Sequence, residues 1–232
     1  MGRSGAGAAG NAVFSDFLRV WGNHSVNVLV CPGIHASEWT QAFLAQVGAA
    51  IASPHRPKNH PDRPNTTPPL HWWVLPPEVP PYAPQPVADF FESCWTGVSE
   101  LGPAFDPQAP LVWLGFSAGV VGAIATARAW QRRGRPTAAL IAFDGWGVPL
   151  TGDFSLYRFS HDRFTAQTSE WPQASAGAFY AEPAVPHLDL WRSPSTAGGI
   201  WQTRGGEGDR HFTTALEALV KLLEQLGNAG RL

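Results

Sequence analysis

The stretch that decides the fold is Leu111-Val112-Trp113-Leu114-Gly115-Phe116-Ser117-Ala118-Gly119-Val120-Val121-Gly122-Ala123. Its apolar first part predicts a strand buried on both faces, and the small residues from Ala118 onward predict a helix. The pattern Gly-x-Ser-x-Gly lies at the junction of the predicted strand and the predicted helix. A sharp turn from strand to helix strains the serine backbone and needs small flanking residues, which Gly115 and Gly119 supply. Ser117 is therefore a candidate nucleophile, although a glycine-rich turn in any α/β protein has the same pattern.

Strand and helix patterns alternate along most of the remaining chain. Apolar runs predict strands at 27–31, 72–75, 111–114 and 138–143, with shorter ones at 188–191 and, at a sheet edge, 200–203. Helical spacing follows Ser37, spans 87–101, and returns after Thr214, where Glu217 completes a capping box. Alternation of this kind predicts an α/β fold with a mostly parallel central sheet and helices on both faces.

The chain length fits one domain that spans residues 1–232. Residues 1–11 are rich in glycine and alanine and predict a flexible N-terminus. The periodicity breaks down over 149–186, where aromatic and polar residues are interleaved. Because long irregular insertions are usually functional or mobile, we expect this range to be an irregular lid.

The composition excludes several classes of protein. The chain is 44% hydrophobic and 15% charged, with a net charge of −2, so no strong field attracts nucleic acid or an anionic membrane. Neither a secretory leader nor a membrane span is recognisable, which predicts a cytoplasmic protein. Cys31 and Cys94 lie in apolar segments and are expected to be buried free thiols. The cysteines and histidines lack zinc-site spacing, so we expect no metal and no cofactor.

A nucleophilic serine needs a histidine base and a carboxylate that orients the histidine. In a parallel sheet such groups collect at the carboxyl ends of the strands. Asp144 directly follows the strand at 138–143, and His211 precedes the last helix. The order Ser117, Asp144, His211 is the one expected of elbow-based hydrolases.

Other residues remain open for the acid and the base. Asp189 is the alternative acid, and Asp144 could instead be a turn residue. The alternative bases are His187, beside Pro186, and His161, inside the predicted lid. His211 could also be an ordinary surface histidine at the start of a helix.

Two backbone N–H groups are candidates for the oxyanion hole that such a reaction needs. The elbow itself places the N–H of Ala118, and the turn after the strand at 27–31 offers that of Ile34. We expect substrate contacts from His35 and Phe116, which lie beside these groups in the sequence, and from Trp146, two residues after Asp144.

Four segments resemble those of the α/β-hydrolases, and in particular the type II and synthetase-associated thioesterases. They are 29–33, similar to the oxyanion turn; 115–119, similar to the elbow; 139–144, similar to the strand that delivers the acid; and 209–213, similar to a Gly-Asp-His-Phe run, with Arg210 inserted. The resemblance implies a serine acyl hydrolase of the α/β-hydrolase fold.

The expected function is cleavage of a thioester or ester of an apolar acyl group through an acyl-enzyme intermediate. The substrate would be a small molecule, free or bound to a carrier protein. A lipase, esterase or acyltransferase would use the same residues. A non-catalytic protein of this fold that binds an apolar ligand or partner is the alternative from a different class, and it would keep Ser117 without an aligned histidine.

Overall fold

The structure is a computed structural model, and it describes residues 25–53, 69–97, 106, 109–135, 137–204 and 210–228. The predicted flexible segment 1–11 lies outside them. The strands are β1 Val26–Cys31, β2 Leu70–Val74, β3 Leu111–Phe116, β4 Ala139–Phe143, β5 Ser155–Ser160, β6 Gly177–Ala181, β7 Gly198–Thr203 and β8 Arg210–Thr214. The helices are α1 Ser37–Ala52, α2 Pro84–Trp95, α3 Gly119–Arg132, α4 Arg163–Thr168, α5 His187–Arg192 and α6 Ala215–Asn228.

The strands form one sheet in the order β2-β1-β3-β4-β5-β6-β7-β8. The first six strands of this order, from β2 to β6, are parallel to one another. β7 and β8 are added antiparallel at the β6 side. In β1, Val28 and Val30 pack on one face while Leu29 and Cys31 pack on the other, as expected for a strand buried on both sides. The predicted α/β architecture with a mostly parallel sheet is confirmed.

Helices cover both faces of this sheet. Apolar side chains of α1, α5 and α6 share one core layer with β1, β3 and β4. Those of α2 and α3 form the other layer. The capping box predicted for α6 is present, because the Glu217 carboxylate accepts from the Thr214 N–H at 3.1 Å and the Thr214 hydroxyl accepts from the Glu217 N–H at 3.2 Å.

The range 149–186 differs from the predicted lid. It contains β5 and β6, which pair with each other and extend the central sheet beyond β4, with α4 between them. Polar residues obscured β5, which carries Arg158 and Ser160, both with buried side chains. Because β5 places polar side chains in the core, its sequence lacks the alternation of buried apolar and exposed polar residues that marks a half-exposed strand.

Two predicted strands near the C-terminus also differ. Residues 188–191, expected as a strand, belong to the short helix α5, in which Leu190 and Trp191 are buried. A run of four residues does not distinguish a strand from one turn of helix. The strand predicted at 200–203 is β7, but β8 pairs with its outer side, so β7 is not the edge.

Both cysteines are buried free thiols, as expected, and burial raises the pKa of Cys31. Among the residues that the structure describes, no helix is long and apolar enough to cross a membrane.

Candidate active site

Ser117 lies at the corner between β3 and α3, in the left-handed region with φ of 52°. Its backbone N–H donates to the Phe143 carbonyl of the neighbouring strand at 2.8 Å. The glycine at 119 is required by packing, since a Cβ there would lie 2.0 Å from the carbonyl oxygen of Cys31. A strained, closely packed corner of this kind has the geometry of a nucleophile elbow, and it fixes where the Ser117 hydroxyl points.

Asp144 lies at the corresponding corner one strand along, directly after β4. It also has a positive φ, of 49°, and Ser117 and Asp144 are the non-glycine residues with positive φ in the described part of the chain. The side chain is buried, and its Oδ1 accepts the backbone N–H of His161 at 2.9 Å. A carboxylate is thus held next to the serine corner with a defined orientation.

His187, the first residue of α5, lies between these two side chains. Its Nδ1 is 2.8 Å from Asp144 Oδ2, and its Nε2 is 3.1 Å from Ser117 Oγ. The ring stacks on the buried Phe116, with centroids 4.9 Å apart. This series of hydrogen bonds has the geometry of nucleophile, base and orienting acid.

His211 does not take part in this arrangement, contrary to the sequence-based expectation. It lies on β8, is exposed, and pairs with Trp201. Five steps across the sheet separate β8 from β3, so the two strands are roughly 24 Å apart at the usual strand spacing. The expected segment before the last helix is an edge strand, and it cannot bring His211 to Ser117.

Asp189, the alternative acid, lies in α5 and forms an ion pair with Arg192 at 2.6 Å. Its side chain is about one-third exposed, at 32%, whereas that of Asp144 is 2% exposed. Of the two carboxylates considered from the sequence, Asp144 is therefore the one that contacts the histidine beside Ser117.

The two proposed oxyanion donors lie on either side of the elbow. Ala118 immediately precedes α3, where the first backbone N–H groups of a helix have no intrahelical acceptor. The turn that contains Ile34 touches the elbow strand, since a Cβ on Gly33 would lie 3.2 Å from the Phe116 carbonyl oxygen. The Ile34 side chain is 73% exposed.

The expected substrate contacts fall in different environments. Phe116 is fully buried under His187, so it supports the histidine instead of facing the substrate. His35 packs among Trp39 and Trp191, and its Nδ1 lies 2.9 Å from the Ala36 carbonyl. Trp146 is 61% exposed, and its Nε1 donates to the Thr168 hydroxyl. Trp146 is the one of the three that presents a broad apolar surface to solvent.

A cavity of about 370 Å³ lies beside the turn that follows β1. The turn at 32–35 forms one wall, α1 forms another, and the loop after β2 forms the third. Most lining residues are apolar, among them Leu44, Val74, Leu75 and Val79. An apolar cavity at this position is suited to hold the carbon chain of a substrate.

Asp144, His161 and His187 have potential metal-ligand atoms within 4.8 Å of one another. The two histidine Nδ1 atoms lie 3.0 Å and 2.8 Å from the same Asp144 oxygen, which are ordinary hydrogen-bond lengths. His187 also contacts Ser117 through its other nitrogen. We therefore assign the three side chains to a hydrogen-bonded group and not to a metal centre.

One signal in the sequence favours His187. It follows β6 at the same carboxyl edge of the sheet as Ser117 and Asp144, and the order Ser117, Asp144, His187 also fits elbow-based hydrolases. Recognition of 177–181 as a strand was needed to use this signal. That run is short and lies within the range interpreted as a lid.

Comparison with known proteins gives a structural likeness only. No protein-family model matches the chain, and no curated protein matches it either. Among solved structures, the chain is similar to a type II thioesterase from the yersiniabactin NRPS/PKS biosynthetic pathway, with 14% identity and a TM-score of 0.45. The match covers 74% of this chain and 90% of the thioesterase chain.

Proposed function

We propose that this protein is a serine hydrolase of the α/β-hydrolase type that cleaves a thioester or ester of an apolar acyl group. The observation that carries the proposal is the hydrogen-bonded series from Ser117 Oγ through His187 to Asp144, with contacts of 3.1 Å and 2.8 Å. A protein of this fold that only binds a ligand does not need a histidine aligned with Ser117. The series therefore argues against the binding-protein alternative.

The reaction would proceed in two halves. His187 Nε2 takes the Ser117 proton as Oγ attacks the acyl carbon, and the backbone N–H groups of Ala118 and Ile34 stabilise the oxyanion. Return of that proton to the leaving thiol or alcohol gives the acyl-enzyme. Water, deprotonated by His187, then attacks the acyl-enzyme and releases the acid. Asp144 keeps His187 in the tautomer that presents Nε2 to the serine.

The cavity beside the oxyanion turn is the proposed acyl site. A fluorophosphonate with an alkyl chain tests both the nucleophile and this preference, because it forms a stable adduct on an activated serine. We expect an adduct on Ser117 in the intact protein and none in Ser117→Ala. In His187→Ala the labelling rate should fall by at least about 10³-fold, because the base is lost.

His211→Ala is the matched control, since it removes a histidine of the same chain from an exposed strand. Its labelling rate should equal that of the unmodified protein. Absence of a Ser117 adduct in folded protein would refute the hydrolase proposal, and loss of labelling in His211→Ala with retention in His187→Ala would reverse the assignment of the base.

Matched panels of acyl thioesters and oxyesters, short and long, address the substrate. Val79→Trp should narrow the cavity and shift the preference toward shorter acyl chains, while the ratio of thioester to oxyester rates stays unchanged. An unchanged chain-length profile would place the acyl group elsewhere.

A further inference from the structure

His161 makes three contacts with acidic side chains, and the proposed reaction uses none of them. Its backbone N–H donates to Asp144 Oδ1 at 2.9 Å, and its Nδ1 lies 3.0 Å from Asp144 Oδ2. Its Nε2 lies 3.1 Å from Oδ2 of Asp162, the next residue. Both ring nitrogens therefore face carboxylate oxygens.

An ionised carboxylate only accepts hydrogen bonds, so the contact between His161 Nδ1 and Asp144 Oδ2 requires a hydrogen on Nδ1. The contact at Nε2 is a close approach of the neighbouring Asp162 carboxylate. Burial raises the pKa of Asp162, but hydrogen bonds from Thr165, the charge of His161 and a hydrogen bond from Phe164 outweigh it and lower that pKa overall. The ionised form of the Asp162 carboxylate is accordingly favoured beside the ring.

We propose that His161 is a positioning residue, which holds the Asp144 carboxylate for His187. The inference rests on the proposed function, because it assigns Asp144 and His187 their roles. Asp144 Oδ2 then receives hydrogen bonds from two histidines, and its orientation does not depend on His187 alone.

Two variants isolate the ring contact with Asp144, and a third is the control. His161→Asn places an amide N–H near the position of Nδ1 and removes Nε2. His161→Ala removes both ring contacts and leaves the backbone N–H to Asp144 in place. Asp162→Asn changes only the neighbouring carboxylate, and an asparagine still accepts the Thr165 N–H that caps α4.

The measurement is the rate of Ser117 labelling by a fluorophosphonate as a function of pH. At the alkaline plateau, His161→Ala should be about tenfold slower than the unmodified protein, and His161→Asn should recover most of that loss. Asp162→Asn should leave the plateau unchanged.

A structural role alone would lower stability and labelling in His161→Asn and His161→Ala alike. Equal plateau losses in these two variants, or the same loss in Asp162→Asn, would overturn the proposal. So would loss of labelling on treatment with a chelator and its recovery with Zn²⁺, which would make the three side chains metal ligands.

Nitrogen-15 NMR of the histidine side chains gives a readout independent of activity. The proposal requires a hydrogen on His161 Nδ1, with a resonance that changes in Asp144→Asn. If the protein shows this signal but Ser117 is never labelled, the proposed function fails and the hydrogen bond stands. If Ser117 is labelled and Nδ1 carries no hydrogen, the positioning role fails.

Discussion

The left-handed conformation of Asp144 makes it a favourable position for a test of charge without change of shape. Aspartate and asparagine both tolerate positive φ, so Asp144→Asn keeps the corner after β4. Loss of charge-assisted hydrogen bonds should lower the free energy of unfolding by about 1 to 3 kcal/mol. Ser117 labelling should fall by about 10⁴-fold, because the amide no longer secures the reactive tautomer of His187.

Fluorophosphonate kinetics and urea unfolding measure these two effects. Asp189→Asn is the matched control, since Asp189 contacts Arg192 at the surface, and it should leave the labelling rate within about twofold. A larger loss in Asp189→Asn than in Asp144→Asn would move the acid to position 189.

Gly119 gives the second prediction at this scale. In Gly119→Ala the added methyl would lie 2.0 Å from the Cys31 carbonyl oxygen and 2.4 Å from that of Pro32, so backbone must shift. We expect a loss of at least about 1 to 3 kcal/mol in unfolding free energy, and displacement of Ser117 from His187. The rate of Ser117 labelling and the free energy of unfolding measured in urea should both fall.

Gly48→Ala is the control for Gly119→Ala, because position 48 is exposed in α1 and no atom lies within 4 Å of the added methyl. It should raise stability by about 0.5 to 1 kcal/mol through helix propensity, with unchanged labelling. Normal labelling in Gly119→Ala would show that the elbow does not depend on its contact with β1.

The residues of the candidate site differ in how far the sequence predicts them. Ser117 and Asp144 directly follow strands that are apolar throughout, so their place at the carboxyl edge is legible from the pattern. His187 lies six residues beyond β6, after a loop, and chain order does not distinguish it from His211. The pattern alone therefore predicted two members of the site, and the third needed the strand order.

At the scale of elements, the same contrast separates β1, β3 and β4 from β5 and β6. The first three are buried at every position, and apart from Asn27 in β1 they form continuous apolar runs. β5 includes Arg158, whose guanidinium is buried and donates to the Gln173 carbonyl at 2.9 Å. The burial of this charged side chain depends on a hydrogen-bond acceptor from another part of the fold. Local hydrophobicity in the sequence does not encode such a contact.

The contact between α2 and the end of α3 gives a pH-dependent prediction. Both Arg135 guanidinium nitrogens donate to the Glu92 carboxylate, and the guanidinium lies 5.0 Å and 4.9 Å from the ring centroids of Trp95 and Trp130. The Arg135 hydrogen bond, with the charges of Arg135 and Arg133, outweighs burial and lowers the pKa of Glu92 from 4.5. The folded state therefore favours the ionised form.

Because the unfolded chain binds this proton more tightly, the stabilisation is complete above pH 4.5 and is lost as pH falls through the lower, folded-state pKa. Glu92→Gln should be less stable than the unmodified protein by about 1 kcal/mol at pH 7. The difference should shrink in acid, as urea unfolding at neutral and acidic pH would measure. A difference independent of pH would assign the loss to packing.

At the scale of the whole molecule, the candidate site is continuous with the aromatic part of one core layer. Trp191 is fully buried, stacks on Phe43 of α1 with centroids 3.8 Å apart, and lies 5.0 Å from Phe116. Phe116 in turn stacks on His187. The six-residue helix α5 is too short to be stable alone, so these contacts set the position of His187.

Trp191→Ala should therefore affect stability and chemistry together. The cavity should lower the free energy of unfolding by about 3 to 5 kcal/mol, and labelling of Ser117 should fall even in protein that remains folded, because α5 loses its anchor. Trp191→Phe should recover most of the labelling, since a phenyl ring can still stack on Phe43. Phe212→Ala, which truncates a side chain 67% exposed on β8, should change neither quantity appreciably. Labelling corrected for the folded fraction distinguishes the two effects: a normal corrected rate in Trp191→Ala would mean that the loop before α5, and not the core, holds His187.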